Sequence, residues 1–314
     1  ISEITNRQSL FVGDQNSFFA APATLEDALK LYSEHPDSIP VAGATDVGLW
    51  VTKRLDKLPK ILHLGRIESF DKIVEDSDKY TINAGVTYES ALSVMSTLDP
   101  DIAALISRIG SRRVRASGTI GGNVANGSPI GDTPPILIAL DATVELQNST
   151  NSRTIPLEKF FIEYGKQDRA ADELVTAINI PKLQPDEHFR CTKISKRFDQ
   201  DISAVMAGFK FTLDGNRITA ARIAYGGMAG TPKRAALCEA ALVGASLSDE
   251  STWAAAIASI ADDFAPMTDM RASSDYRQTV AQNLLHKALV EISGSNSTKT
   301  RVTAPRPNDL EAAE

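Results

Sequence analysis

The sequence predicts an α+β protein of two domains, the first divided into two α/β subdomains. Three observations lead there. At 314 residues the chain exceeds what one hydrophobic core usually serves. Residues 39–64 read as strand, small-residue turn, helix and strand, the pattern of a βαβ unit. Beyond Pro185 the texture changes to two strands about a turn, followed by three helices. The expected divisions are a linker at 1–15, a first domain at 16–185 with subdomains at about 16–65 and 66–185, an α+β domain at 186–293, and a disordered tail at 294–314. That last stretch is rich in Ser, Asn, Thr, Pro and charge and has no apolar period.

In chain order, Thr24 is an N-cap with Asp27 at the capping-box position, and Leu25, Ala28, Leu29 and Tyr32 form one apolar helical face closed by Pro36. Ile39 to Ala42 is a short buried strand that runs into Gly43-Ala44-Thr45-Asp46. Val47, Trp50, Val51 and Leu55 give a second helix, with Trp50 expected in the core, and Ile61 to Leu64 the next strand. Tyr80 to Ala84 reads as a strand, Thr87 caps a helix to about Leu98, and 102–109 is a further helix. A helical or buried stretch at 134–140, strand 143–146, a hairpin turn at 148–153 and strand 174–180 complete the first domain. In the second, Asp214-Gly215-Asn216 joins strands 206–213 and 218–225. Helices follow at 233–243, at 249–262 with Ser248 as cap, and at 275–292 with Ser273 or Ser274 as cap.

Composition narrows the function. Apolar residues make up 42% and charged residues 23%, as in an ordinary soluble globular protein. A formal charge of −7, with no basic block, argues against nucleic-acid binding. Two cysteines, Cys191 and Cys238, supply neither a disulfide framework nor a metal or cluster site. No apolar run reaches membrane-spanning length and no signal-peptide layout opens the chain, so the expected compartment is the cytoplasm. The first residue is Ile1, not Met, which is consistent with a trimmed or visible part of a longer polypeptide. His35, His63, His188 and His286 sit in no motif; no catalytic residue and no metal ligand are assigned.

The chemistry concentrates in Thr119-Ile-Gly-Gly-Asn-Val-Ala-Asn-Gly-Ser-Pro-Ile-Gly-Asp132, which has four glycines and few side chains long enough to shield the backbone. Glycine lets another molecule approach the main chain, and successive N–H groups in turns make a nest for phosphate oxygens. Such clusters are most often plain surface turns. Here the run is too long for one turn, and Ile120, Val124 and Ile130 pin it to a core. A second small-residue turn, Ala42 to Asp46, also abuts an apolar strand. Neither is a P-loop or a G-x-G-x-x-G opening a helix. The expected reading is two backbone hollows closing on one diphosphate. Lys193 stands in a run with Lys196 and Arg197 that composition alone reads as a solvated face. Arg112, Arg113 and Arg115 are phosphate partners, surface charge or a subunit contact.

Ala42-Gly-Ala-Thr-Asp46 and Thr119-Ile-Gly-Gly-Asn123 resemble the paired flavin-binding motifs of the FAD-binding domain of molybdenum hydroxylases, within the fold group of vanillyl-alcohol oxidase. The likeness extends through Asn126 to Asp132, Thr192 to Arg197, Asp201 to Ala204 and Gly226 to Ala229, and so covers about residues 16–292. The second domain resembles that of the carbon monoxide dehydrogenase flavoprotein. The Ala-Gly-x-Thr-Asp form is similar to xanthine dehydrogenase, closest to the small FAD/iron–sulfur subunit of the bacterial enzymes without its [2Fe–2S] domains. The resemblance implies FAD as cofactor, with Val41, Ala42, Gly43, Ala44, Thr45, Asp46 and Val47 on one side of the diphosphate. Thr119, Gly121, Gly122 and Asn123 lie on the other, with Asn126 and Ser128 beside them. By the same likeness Asp132 would accept hydrogen bonds from sugar or ribityl hydroxyls, and Val175 and Lys193 would lie by the flavin ring. Ile109, next to Gly110, stands where relatives often carry a Phe packed on the cofactor.

The same resemblance implies electrons arriving from molybdenum through [2Fe–2S] clusters and leaving as hydride to NAD⁺, during hydroxylation of hypoxanthine or xanthine. Two cysteines cannot ligate two such clusters, which need eight. The implied partners are a large molybdopterin-binding subunit and iron–sulfur domains, held either N-terminally in the same subunit or on a separate chain, in a dimer of heterodimers. Two further readings stay open: a flavoprotein of a carbon monoxide dehydrogenase-like or aldehyde oxidase-like hydroxylase, and a free-standing FAD oxidoreductase of this fold.

Overall fold

The computed structural model describes residues 8–294, 300 and 301. Residues 1–7 and most of the expected tail lie outside the described residues. Four elements build the first sheet, in the order β1-β2-β4-β3: β1 (Leu10–Gly13), β2 (Phe18–Ala21), β3 (Ile39–Val41) and β4 (Lys60–His63). β1 was expected to be linker; it pairs antiparallel with β2 from Leu10↔Ala21 to Gly13↔Phe18. Its four residues are all exposed, so no burial pattern marked it. Helix α1 (Leu25–Glu34) follows β2, and its Thr24 cap accepts from the Asp27 N–H. Asp27 does not close a capping box but accepts from the Ser9 hydroxyl at 2.7 Å. β3 and β4 run parallel, joined by α2 (Val47–Thr52), which realises the predicted βαβ unit.

A five-stranded sheet forms the second layer, ordered β5-β6-β11-β7-β8. Its members are β5 (Ile73–Glu75), β6 (Lys79–Asn83), β7 (Thr143–Gln147), β8 (Ser152–Pro156) and, after a small β9 (Phe161–Glu163)/β10 (Lys166–Gln167) ribbon, β11 (Leu174–Pro181). Between β6 and β7 run α3 (Tyr88–Leu98), α4 (Pro100–Ile106), α5 (Arg112–Arg115), α6 (Ile120–Asn126) and α7 (Thr133–Ala139). A short α8 (Leu157–Phe160) follows β8. Met95, Ile102, Ile120, Val124 and Leu137 share one core with Ile82, Val144 and Ile178 of the sheet. Every residue of α7 is buried, and Met206 and Ala224 of the next sheet join the same core.

The remaining residues form the sheet β12 (Glu187–Ile194), β13 (Val205–Asp214), β14 (Arg217–Gly226) and β15 (Lys233–Arg234), antiparallel throughout. Its core, around Phe209, Tyr225 and Trp253, is closed by α9 (Ala236–Leu242), α10 (Ala254–Asp263) and α11 (Ser274–Ser293). The Asp-Gly-Asn turn makes the predicted hairpin, with Gly215 left-handed at φ 56°. Three expectations shift. Lys233 and Arg234 belong to an edge strand, not to the helix that follows. The 249–262 helix is a 3₁₀ turn capped by Asp249 and then α10. β12 was not read as a strand, because its buried face alternates Phe189 and Cys191 with a lysine, Lys193, in the next position.

Candidate functional site

The two small-residue segments meet. Ser117 Oγ donates to the Gly43 carbonyl at 2.7 Å, across 74 residues of sequence. The approach is so close that a Cβ on Gly43 would lie 1.9 Å from the Ser117 carbonyl oxygen, which is why residue 43 has none. Ala44 then turns at φ 56°, a left-handed conformation costly for a residue with a side chain. The turn leaves Ala44, Thr45 and Asp46 exposed. Among the described residues, the backbone N–H groups of 43–46 have no carbonyl partner within the chain.

Across from this loop, residues 119–132 do not form the extended nest expected. Ile120–Asn126 is a helix, despite two glycines and two asparagines, because its start is over-determined. Thr119 Oγ1 accepts from Gly122 N–H at 2.9 Å, and Ile120 N–H is taken by the Val86 carbonyl. A Cβ on Gly121 would sit 2.4 Å from Ala84, so only glycine lets α6 dock on the end of β6. At its far end Gly127 closes α6 at φ 63°.

Between loop and helix lies a cleft of about 290 Å³. Val41 through Val47 line it, opposite Thr119, Gly121, Gly122, Asn123 and Asn126, with Val175 and Leu174 alongside. Thirteen of the sequence-predicted residues are thereby brought to one surface. Ile109, Gly110, Ser128, Asp132 and Lys193 do not line it. Ile109 packs on the core, and its carbonyl and that of Gly110 accept from Arg115. Ser128 shapes the 128–131 turn, accepting from Gly131 N–H.

Asp132 and Lys193 meet each other instead. Lys193 Nζ lies 2.7 Å from Asp132 Oδ2 and donates to Ser203 Oγ at 2.7 Å. Lys193 is 2% exposed, so the solvated-face reading from its basic neighbours is wrong. This group adjoins the cleft through Thr133, whose hydroxyl donates to Asn123 Oδ1 at 2.7 Å. Tyr88, also on the cleft wall, lies 3.5 Å from the same hydroxyl. Burial, with Asp132 nearby, pushes the Tyr88 phenol well above its usual range.

Other expectations resolve locally. Trp50 is not core: it lines the cleft mouth, donates to Asp46 Oδ2 at 3.0 Å and carries the Arg54 guanidinium over its ring. Arg112 and Arg115 pair with Glu89 and do not reach the cleft. Cys191 and Cys238 are both buried, and burial pushes the Cys238 thiol up to about 12. Residues missed by sequence reasoning are Ser117 and Thr133, single hydroxyls with no motif of their own, and Arg169, which reaches the cleft from before β11; Ser203 lies in the likeness from Asp201 to Ala204, which gives it no role.

The cleft offers unpartnered main-chain donors, glycines where a Cβ would clash, and an apolar floor, a donor set that fits a dinucleotide diphosphate better than a metal or a polyanion. Fold and site thus define a two-domain α+β protein of the dinucleotide-binding class. The family model described as the FAD binding domain in molybdopterin dehydrogenase matches residues 14–183, and that of the CO dehydrogenase flavoprotein C-terminal domain matches 190–292. The chain belongs to this family: it is the FAD-binding, oxidoreductase flavoprotein subunit of a molybdenum hydroxylase. It is 30% identical to the nicotine 6-hydroxylase medium subunit of Paenarthrobacter nicotinovorans, over 87% of this chain and 96% of that one. The xanthine dehydrogenase FAD-binding subunit of Escherichia coli O157:H7 is 28% identical, over 86% and 93%. Among solved structures, reconstituted CO dehydrogenase from Oligotropha carboxidovorans superposes with a TM-score of 0.81 at 26% identity, covering 87% of this chain and 96% of that one. Among the described residues no helix is long and apolar enough to cross a membrane.

Proposed function

We propose that this chain carries FAD between the 41–47 loop and α6, and passes hydride to NAD⁺ within a xanthine dehydrogenase-like complex. The observation that carries the reading is the cleft itself, where two segments 74 residues apart are bonded together and the 43–46 loop leaves its N–H groups open opposite the glycine-lined start of α6. The donors of 43–46 hold one flank of the diphosphate, and Thr119, Gly121, Gly122, Asn123 and Asn126 the other. Val175 and Lys193 lie by the flavin ring, and Asp132, paired with Lys193 beyond Thr133, accepts hydrogen bonds from sugar or ribityl hydroxyls. Ile109, Gly110 and Ser128 act by shaping the turns around α6. When bound, FAD supplies two-electron carrier chemistry that links a one-electron source to a hydride acceptor.

In this reading residues 16–185 hold the cofactor and 186–293 form the second domain. The partners are a large molybdopterin subunit and the bearer of [2Fe–2S] clusters, in a dimer of heterodimers in the cytoplasm. Xanthine or hypoxanthine is the proposed substrate of the complex, on the Ala-Gly-x-Thr-Asp motif. The test is purification with partners: the protein is yellow, releases FAD on denaturation, is bleached by NADH and carries a molybdenum chain. A colourless protein overturns the FAD reading. A yellow protein that NADH does not bleach overturns the acceptor, and hydroxylation of another substrate class overturns the purine assignment.

A further inference from the structure

Ser203 closes a triangle. Lys193 Nζ contacts Asp132 Oδ2 and Ser203 Oγ, each at 2.7 Å, and Ser203 Oγ donates to the other carboxylate oxygen, Asp132 Oδ1. All three residues are buried, Ser203 to 1% exposure. Each group touches the other two, so none turns without breaking two bonds in a medium where a lost bond is costly.

The backbone around Ser203 is fixed by elements outside the triangle. Ala204 N–H donates to the Ile194 carbonyl at 2.8 Å. The Ala204 carbonyl accepts from Arg277 on α11, whose guanidinium also holds the Gly227 carbonyl at 2.8 Å and Asp269 at 2.7 Å. Arg277 is itself 1% exposed. The hydroxyl is therefore aimed from β12, from the segment before β13 and from α11 together.

We infer that Ser203 is a positioning residue for Lys193: its hydroxyl keeps the ammonium to one edge of Asp132 and so fixes the cation that acts on the flavin ring. The inference rests on the proposed reading that Lys193 lies by that ring. Without the hydroxyl, Asp132 Oδ1 loses its donor and draws the ammonium toward both carboxylate oxygens, away from the position the triangle sets. A cation so placed favours the reduced, more negative cofactor over the oxidised one. A hydrogen bond to a charged group is worth about tenfold in such an equilibrium.

The test measures the midpoint potential and visible spectrum of FAD on the full chain for wild type, Ser203→Ala, Ser203→Thr and Lys193→Met, with the thermal melt of each as a fold check. Ser203→Ala is expected to shift the ratio of affinities for reduced and oxidised FAD about tenfold toward the oxidised form. Ser203→Thr restores it, and Lys193→Met moves it the same way at least as far. An unchanged potential in Lys193→Met overturns the placing of Lys193 by the ring. A shift in Lys193→Met with none in Ser203→Ala overturns the role of Ser203 alone. Should Ser203→Ala not fold, Ser203→Cys, close in volume and weak as a donor, takes its place with the same two outcomes.

Discussion

Ser117 Oγ donates to the Gly43 carbonyl at 2.7 Å, and through that bond the first sheet's loop is fastened to the segment leading into α6. The bond is exposed, so it adds little to global stability, but it fixes the width of the cleft. Ser117→Ala is expected to weaken FAD binding about fivefold with a melting temperature within a degree or two of wild type, the loss of about 1 kcal/mol for one neutral bond. Fluorescence of FAD released on dilution measures it.

Gly43→Ala attacks the same junction from the other side. The new Cβ, 1.9 Å from backbone that no flexible side chain can yield, forces the loop away from residues 117 and 118. FAD affinity is expected to fall by well over tenfold, and overpacking at the junction costs about 1–3 kcal/mol. Denaturant unfolding with and without added FAD separates the two effects.

Thr119→Ala removes the cap that lets a glycine-rich segment be helical. About 1 kcal/mol of stability is expected to go with it, and Thr119→Ser to recover most of that. Hydrogen exchange at residues 120–124 reports the fraying directly.

Acid stability has a separate seat. Glu291 on α11 is buried, which pushes its carboxyl up, but hydrogen bonds from Arg301 and Lys287 outweigh this and hold it down at about 2. Arg301 also reaches Asp101 of α4 at 2.7 Å. A depressed folded value means that the stabilisation is complete above the unfolded value near 4.5 and is lost as pH falls toward 2. Its size is on the order of 3 kcal/mol. Arg301→Met is expected to lower stability at neutral pH and to flatten the fall in stability between about pH 4.5 and pH 2, read from urea melts across that range.

Elements with a clean period or cap were legible: Thr24 and Thr87 mark α1 and α3, and Asp214-Gly215-Asn216 marks the β13/β14 turn. α6 was not, because Gly121, Gly122, Asn123 and Asn126 are poor helix formers and tertiary docking on Ala84 overrides them. β1 escaped notice because both its faces are exposed, and Trp50 misled because a helix-period apolar stripe faces a cleft instead of a core. The cleft residues followed from small side chains and family likeness. Lys193 was placed by likeness alone, since its burial depends on Asp132 and Ser203, 61 and 10 residues away.

Helix α2 contributes no side chain to any core: Leu49 and Val51 are about half exposed, and Val47 and Trp50 border the cleft. A six-residue helix without tertiary support is marginal on its own. Whatever molecule fills the cleft is therefore expected to brace α2 as well, and hydrogen exchange at residues 47–55 is expected to slow when the cofactor is loaded. Loss of the flavin would expose that strip to proteases before the rest of the chain yields.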